Sequence, residues 1–221
     1  MIVIPVINET NFEEVKKKIL LAKSFGADPA AGGASWVHLD VADGTFTPNE
    51  TWNNSEELKE WKVESEKLKV NIEIHLMVND PDYEIKKWLN CGAKRIFIHY
   101  ESSKNIAVLK DECQKAGIEL GLAIGPQIPV EGLFEYKNKI RSYLILAVNP
   151  GLAGQEFQLN QLDKISLLRE QMPDAKIEVD GGINMKNAYE IRQAGADTLV
   201  SASYIWESKN PKESYEKLRT F

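Results

Sequence analysis

Apolar and polar positions follow two rhythms along the chain, and the two take turns. Short runs rich in Val, Ile and Leu recur at Ile2–Val6, Trp36–Val41, Asn71–Met77, Arg95–His99, Glu119–Ile124, Ser142–Val148, Lys176–Asp180 and Thr198–Ser201. Their length and β-branched content predict strands buried on both faces. Between them lie polar stretches with apolar residues at helical spacing. In the first of these, Phe12, Val15 and Ile19 share a face, and Thr10 with Glu13 predicts a capping box. Gly26 ends that helix. Gly92-Ala93-Lys94 and Gly195-Ala196-Asp197 repeat the punctuation of Gly26-Ala27-Asp28, and Ala116-Gly117 reverses it. A glycine just past a helix end takes up the left-handed conformation that turns the chain back into a sheet.

Strict strand–helix alternation without a break in composition predicts parallel strands joined by crossover helices. Eight such units in 221 residues fit a single α/β domain, a (β/α)8 TIM barrel over residues 1–221. An open doubly wound sheet is the runner-up, although no GxGxxG fingerprint follows the first strand. Two stretches interrupt the rhythm. Pro29–Ser35 reads as a flexible insert, on the barrel face away from chemistry. Asp43–Glu57 reads as a long polar loop on the face where barrel active sites lie.

Charge narrows the function classes. With 27 basic and 33 acidic residues the net charge is -6, which argues against nucleic acid or an anionic membrane as partner. No apolar run approaches the length of a transmembrane span, and the opening Met-Ile-Val-Ile-Pro lacks the basic lead-in of a signal peptide. Cys91 and Cys113 make no disulfide framework, so a reducing cytoplasm is expected.

The three histidines, His38, His75 and His99, each sit at or near the C-terminal end of a predicted strand. Asp40 follows His38 at i+2 and so projects to the same side. Asp180 ends Ile-Glu-Val-Asp, before Gly181-Gly182. A lone strand histidine is more often a core residue, and a strand-end Asp often a helix cap. Together, two imidazoles and two carboxylates at one barrel mouth make a divalent-metal site, with N and O donors suited to Zn, Mn, Fe or Co. A second signal is the loops after the last three strands: Asn149-Pro150-Gly151-Leu152-Ala153-Gly154-Gln155, Gly181-Gly182 and Ser201-Ala202-Ser203. Their backbone N–H groups predict an anion cradle of the kind barrels use for phosphate.

These residues resemble the ribulose-phosphate 3-epimerases over nearly the whole chain. The resemblance is carried by His38-Leu39-Asp40-Val41-Ala42-Asp43-Gly44 with Phe46 and Pro48-Asn49, and by His75-Leu76-Met77-Val78. It continues in His99-Tyr100-Glu101, Val148-Asn149-Pro150-Gly151 with Gly154-Gln155, and Glu178-Val179-Asp180-Gly181-Gly182-Ile183. It implies a barrel of the ribulose-phosphate-binding type and one divalent metal ion held by His38, Asp40, His75 and Asp180, with Mg the weaker candidate. Asp40 and Asp180 would be the catalytic acid/base pair on opposite faces of the sugar. Met77, Gly151, Gly154, Gly181, Gly182, Ala202 and Ser203 would bind substrate. The implied activity is an isomerase of the pentose phosphate pathway, converting D-ribulose 5-phosphate to D-xylulose 5-phosphate through a metal-stabilised enediolate.

The chain also departs from the family pattern. Val6 stands where the family has a substrate-contacting Ser. Ala42 and Leu146 hold two places usually given to Met, Ala153 and Ala202 replace glycines, and the bulky Tyr204 follows. The metal and proton-transfer set is intact while the substrate shell is altered. Two alternatives follow: an epimerase of another ketose or ketose phosphate, such as a hexulose 6-phosphate, and a non-catalytic phosphosugar-binding barrel. The partner in each case is a small sugar, and a homo-oligomer stays open because members of the family often associate.

Overall fold

The structure, a computed structural model, describes residues 1–26, 33, 35–64, 70–151 and 154–221. Eight strands follow one another in chain order and close into a barrel. They are β1 (Ile2–Ile7), β2 (Ser35–Ala42), β3 (Val70–Met77), β4 (Arg95–His99), β5 (Glu119–Ile124), β6 (Ser142–Leu146), β7 (Lys176–Asp180) and β8 (Thr198–Ser201). The fold is the expected TIM barrel. Pairing is parallel, with Asp40 opposite His75 between β2 and β3 and Leu146 opposite Asp180 between β6 and β7. β6 stops two residues early, because after Ala147 donates to the Asp180 carbonyl the chain turns away into its loop. The insert expected over Pro29–Ser35 lies largely outside the described residues.

Contacts divide the chain into two compact halves, Val6–Leu120 and Met1–Pro5 with Gly121–Phe221. The first half carries α1 (Phe12–Ser24), α2 (Ser55–Glu64), α3 (Pro81–Trp88) and α4 (Ile106–Lys115). α1 buries Val15, Ile19 and Ala22, as its spacing requires. Its cap is not the expected Thr10: the side chain of Asn11 accepts from the Glu14 N–H at 3.1 Å. Asn caps as well as Thr, and the helix begins at Phe12, so the residue just before it takes that position. Gly26 follows with φ +102° and donates to the Lys23 carbonyl, closing the helix as expected. Phe12 stacks on Trp52 at 4.6 Å, with Trp61 and Trp88 set edge-on around this pair. Trp52 belongs to the loop that leaves β2, so these ring contacts tie that loop to α1, α2 and α3.

The second half carries α5 (Gln161–Gln171), α6 (Ala188–Ala194), the single turn α7 (Ser203–Trp206) and α8 (Pro211–Thr220). Between β5 and β6 a 3-10 helix, Val130–Tyr136, replaces the expected α-helix. The loop before it is held by Lys164, whose Nζ donates to the carbonyls of Gly125, Pro126 and Ile128. Among the described residues, no helix is long and apolar enough to cross a membrane.

Both cysteines are free and buried. Burial raises the Cys91 thiol pKa and pushes that of Cys113 up to about 12. Thiolate is the reactive form, so the native protein is expected to resist thiol-labelling reagents and to label at two sites once unfolded. Rapid labelling of the native protein, followed by mass spectrometry, would contradict this burial.

Candidate functional site

In the Val6–Leu120 half, the strand register lines up the polar side chains. His38 and Asp40 alternate on β2, and their partners on β3 are Glu73 and His75. Partnered residues in parallel strands face the same way, so all four project to one side of the sheet. Asp40 Oδ1 lies 3.3 Å from His38 Nε2 and 3.2 Å from His75 Nδ1. The three histidines are fully buried.

The outer nitrogens of the rings decide what the inner ones can do. His38 Nδ1 donates to Glu73 Oε1 at 2.7 Å. Nε2 faces Asp40 Oδ1, and this buried atom makes no hydrogen bond of good geometry among the described residues. His99 Nδ1 donates to Glu101 Oε1 at 2.9 Å, and its Nε2 shares a hydrogen bond with His75 Nε2 at 3.1 Å. His75 Nδ1 faces the same Asp40 oxygen at 3.2 Å. Two ring nitrogens and a carboxylate oxygen thus converge on one point. One ligand atom from each lies within 4.8 Å of the others. The donor set of two imidazoles and a carboxylate fits a divalent transition metal.

Electrostatics set the two β2 and β3 histidines apart. Burial pushes the His75 pKa down, aided by the neighbouring imidazoles and only partly opposed by Asp40, to about 4. His75 is therefore a neutral ligand at neutral pH. Burial also opposes charge on His38, but the carboxylates of Asp40 and Glu73 beside it outweigh burial and raise its pKa well above the usual value. Burial would raise the Asp40 pKa, yet the two histidines hold it below the ordinary carboxylate range.

The loop after β2 folds over this cluster. Asp43 accepts from the N–H groups of Thr45 and Phe46, and an isolated bridge joins Asp43 to Glu50. The expected long loop is thus partly structured, and α2 begins inside its last three residues. Thr51 ties its end to β2, donating to the Asp40 carbonyl at 2.7 Å and accepting from the Ala42 N–H. The Phe46 ring sits 4.6 Å from the His99 ring and shields it. Met77, buried at the end of β3, pairs with Ala42 in register.

In the second half, Asp180 closes β7 and is buried, paired in register with Leu146 on β6 and Val200 on β8. A cavity of about 560 Å³ opens nearby in sequence, lined by Gly154, Gly182 and Ser203 among others. Gly151, Gly181 and Ala202 flank these residues in the chain but do not line it. Leu152 and Ala153 lie outside the described residues. Lys186, Asn184 and Asn187 line the same cavity, as do Glu156, Glu190 and Glu207; sequence reasoning found none of these.

Gly182 is a close approach of two loops. Its φ is +69°, and an added Cβ would stand 2.3 Å from Phe157 N and 2.9 Å from the Gln155 carbonyl oxygen. Both are backbone atoms, so no side chain can move aside. Gly182→Ala is expected to destabilise the protein by about 2 kcal/mol or more, from overpacking plus left-handed strain. A melting midpoint equal to wild type would show that the two loops are not in contact.

Sequence reasoning noted His99 and Glu101 but not their bond to each other or the link from His99 to His75, and it missed Glu73. For Glu73 a signal was present, since a charged residue at i-2 from His75 in an otherwise apolar strand must face the same interior.

The sequence profile described as the ribulose-phosphate 3 epimerase family matches residues 3–206. A ribulose-phosphate 3-epimerase of Chlamydia trachomatis is 33% identical over 91% of this chain and 94% of its own length. One from Eremothecium gossypii is 33% identical over 84% and 81%. In fold, the chain resembles the crystal structure of 3-hexulose-6-phosphate synthase from Salmonella typhimurium, with a TM-score of 0.67, 14% identity, and coverage of 99% and 96%. Histidines placed for a metal, on a barrel of this type and in a chain matched almost end to end, leave one assignment: it belongs to the ribulose-phosphate 3-epimerase family and is a carbohydrate epimerase.

Proposed function

We propose that this protein inverts C3 of D-ribulose 5-phosphate to give D-xylulose 5-phosphate, with Asp40 and Asp180 as the two proton carriers and the whole chain acting as one domain. The observation that carries this reading is the convergence of His38 Nε2, His75 Nδ1 and Asp40 Oδ1 on one buried point. His38, Asp40 and His75 would hold one divalent ion (Zn, Mn, Fe or Co), with Asp180 as fourth ligand. When bound, such an ion supplies Lewis-acid stabilisation of the negative charge that develops on the substrate oxygens as the C3 proton leaves.

Inversion next to a ketone requires a proton to leave one face and another to return on the opposite face. One fixed carboxylate cannot serve both faces, so two are needed. Asp40, held ionised by its histidines, is in the form that can accept the C3 proton. Asp180 ends β7 next to the glycines that lead into the cavity, a place suited to reach the sugar from the other strand set. Backbone around Gly154, Gly182, Ala202 and Ser203 would receive the phosphate. Phe46, packed on the His99 ring, would help keep water from the reacting carbon. Two buried, unpaired thiols fit a reducing compartment and a cytoplasmic location.

The test is metal-loaded protein with D-ribulose 5-phosphate in deuterated water. Interconversion with solvent deuterium appearing at C3 is the expected result. Neither interconversion nor exchange would overturn the reading.

A second reading has its own support. Glu156, Glu190 and Glu207 line the cavity against the single ammonium of Lys186, an unfavourable surround for a dianion. This favours an unphosphorylated ketose. A panel of pentuloses and hexuloses, each with and without phosphate, separates the two by kcat/KM.

A further inference from the structure

A row of charge crosses the interior of the Val6–Leu120 half. Glu73 on β3 is the register partner of His38 on β2 and of Arg95 on β4. One carboxylate oxygen accepts from His38 Nδ1 at 2.7 Å and the other from Arg95 Nη1 at 3.1 Å. Arg95 reaches on to Glu119 Oε2 at 3.4 Å, and its guanidinium lies over the rings of Trp36 at 5.2 Å and Phe97 at 5.5 Å. The Glu73 side chain is completely buried and that of Arg95 is 6% exposed.

Burying a carboxylate costs several kcal/mol in solvation, and a barrel interior of this kind is ordinarily filled with branched apolar side chains. A structural role alone gives no reason to aim that carboxylate at a ring nitrogen. Its effect on His38 is specific. The bond fixes the ring's proton on Nδ1, turns Nε2 towards Asp40 and makes Nε2 a stronger donor. Arg95 supplies the counter-charge, and the rings of Trp36 and Phe97 hold the guanidinium in place.

We infer that Glu73, held by Arg95, is a positioning residue that sets the tautomer and orientation of His38 for a divalent cation. This rests on the metal reading given above, which assigned no role to Glu73 or Arg95. Neither residue touches the substrate. The pair acts through His38.

The experiment measures Co²⁺ affinity by competition with a chelating indicator, in wild type, Glu73→Gln and the charge-neutral double variant Glu73→Gln/Arg95→Gln, on protein first checked for fold by circular dichroism. Either variant that folds is expected to bind Co²⁺ about 10- to 100-fold more weakly. Affinity within twofold of wild type in a folded variant overturns the inference. A third measurement needs no variant. In Zn²⁺-loaded wild type, ¹⁵N–¹H spectra of the histidines should show a slowly exchanging proton on His38 Nδ1. Metal found on Nδ1 instead, or a freely exchanging Nδ1 proton, also overturns it. If wild type takes up neither ion, the metal reading itself falls, an outcome distinct from a variant that binds normally.

Discussion

Asp180→Asn is expected to lower kcat for ketose-phosphate epimerisation by about 10³-fold or more, at the upper part of the range for losing a positioned acid or base. The substitution keeps the size of the side chain and removes only its charge and its capacity to carry the proton. The Asp180 carbonyl, which accepts from the Ala147 N–H at 2.6 Å, is unchanged, so the β6–β7 ladder should survive. Melting should stay within a few degrees of wild type, and much of the metal uptake should remain through His38, Asp40 and His75. A folded Asp180→Asn protein turning over at the wild-type rate would contradict the two-carboxylate mechanism.

Stripping the metal should have a comparable effect, again a loss of roughly 10³-fold or more, because the charge developing on the substrate would then meet no Lewis acid. Activity should return with Zn, Mn, Fe or Co salts. The fold should persist throughout, since the core is apolar: Ile72, Ile74, Leu76, Phe97, Leu144 and Val179 are all fully buried. Protonation adds a signature. His75 is already neutral at neutral pH, whereas the raised pKa of His38 keeps a second proton on its ring in the metal-free protein. Metal binding must displace that proton. Affinity should therefore fall as pH falls, approaching tenfold per unit below the His38 pKa, with close to one proton released per ion in calorimetry across buffers of different ionisation enthalpy. Chelator-treated protein that keeps full activity, or uptake without proton release at neutral pH, would count against His38 as a ligand.

The sequence displays the barrel clearly because strands buried on both faces read as apolar runs, and polar exceptions inside them stand out. All eight strands lie where those runs predict, and β4, β5, β7 and β8 match to the residue. Helix ends are read less well, since adjacent Thr10 and Asn11 can both cap and only the path of the chain selects one. The β5–β6 crossover differs because Pro126 and Pro129 lie just before its helix and Lys164 collects the loop's carbonyls. Neither effect has a periodic signal. In the site, His38, Asp40 and His75 are legible as polar residues set into otherwise apolar strands. The second layer, Glu73 with Arg95 and His99 with Glu101, needs the register between strands before its partners can be paired. The residues lining the cavity beside Gly182 come from loops and helix starts, where side-chain direction does not follow from spacing.

Crystals of the Co²⁺- or Zn²⁺-loaded protein, measured at the metal's absorption edge, put the pair of carboxylates to the test. One anomalous peak is expected, bonded to His38 Nε2, His75 Nδ1 and an oxygen each from Asp40 and Asp180. No peak among these residues, or a peak whose ligands leave out Asp180, would contradict a single cation shared by two proton-carrying aspartates.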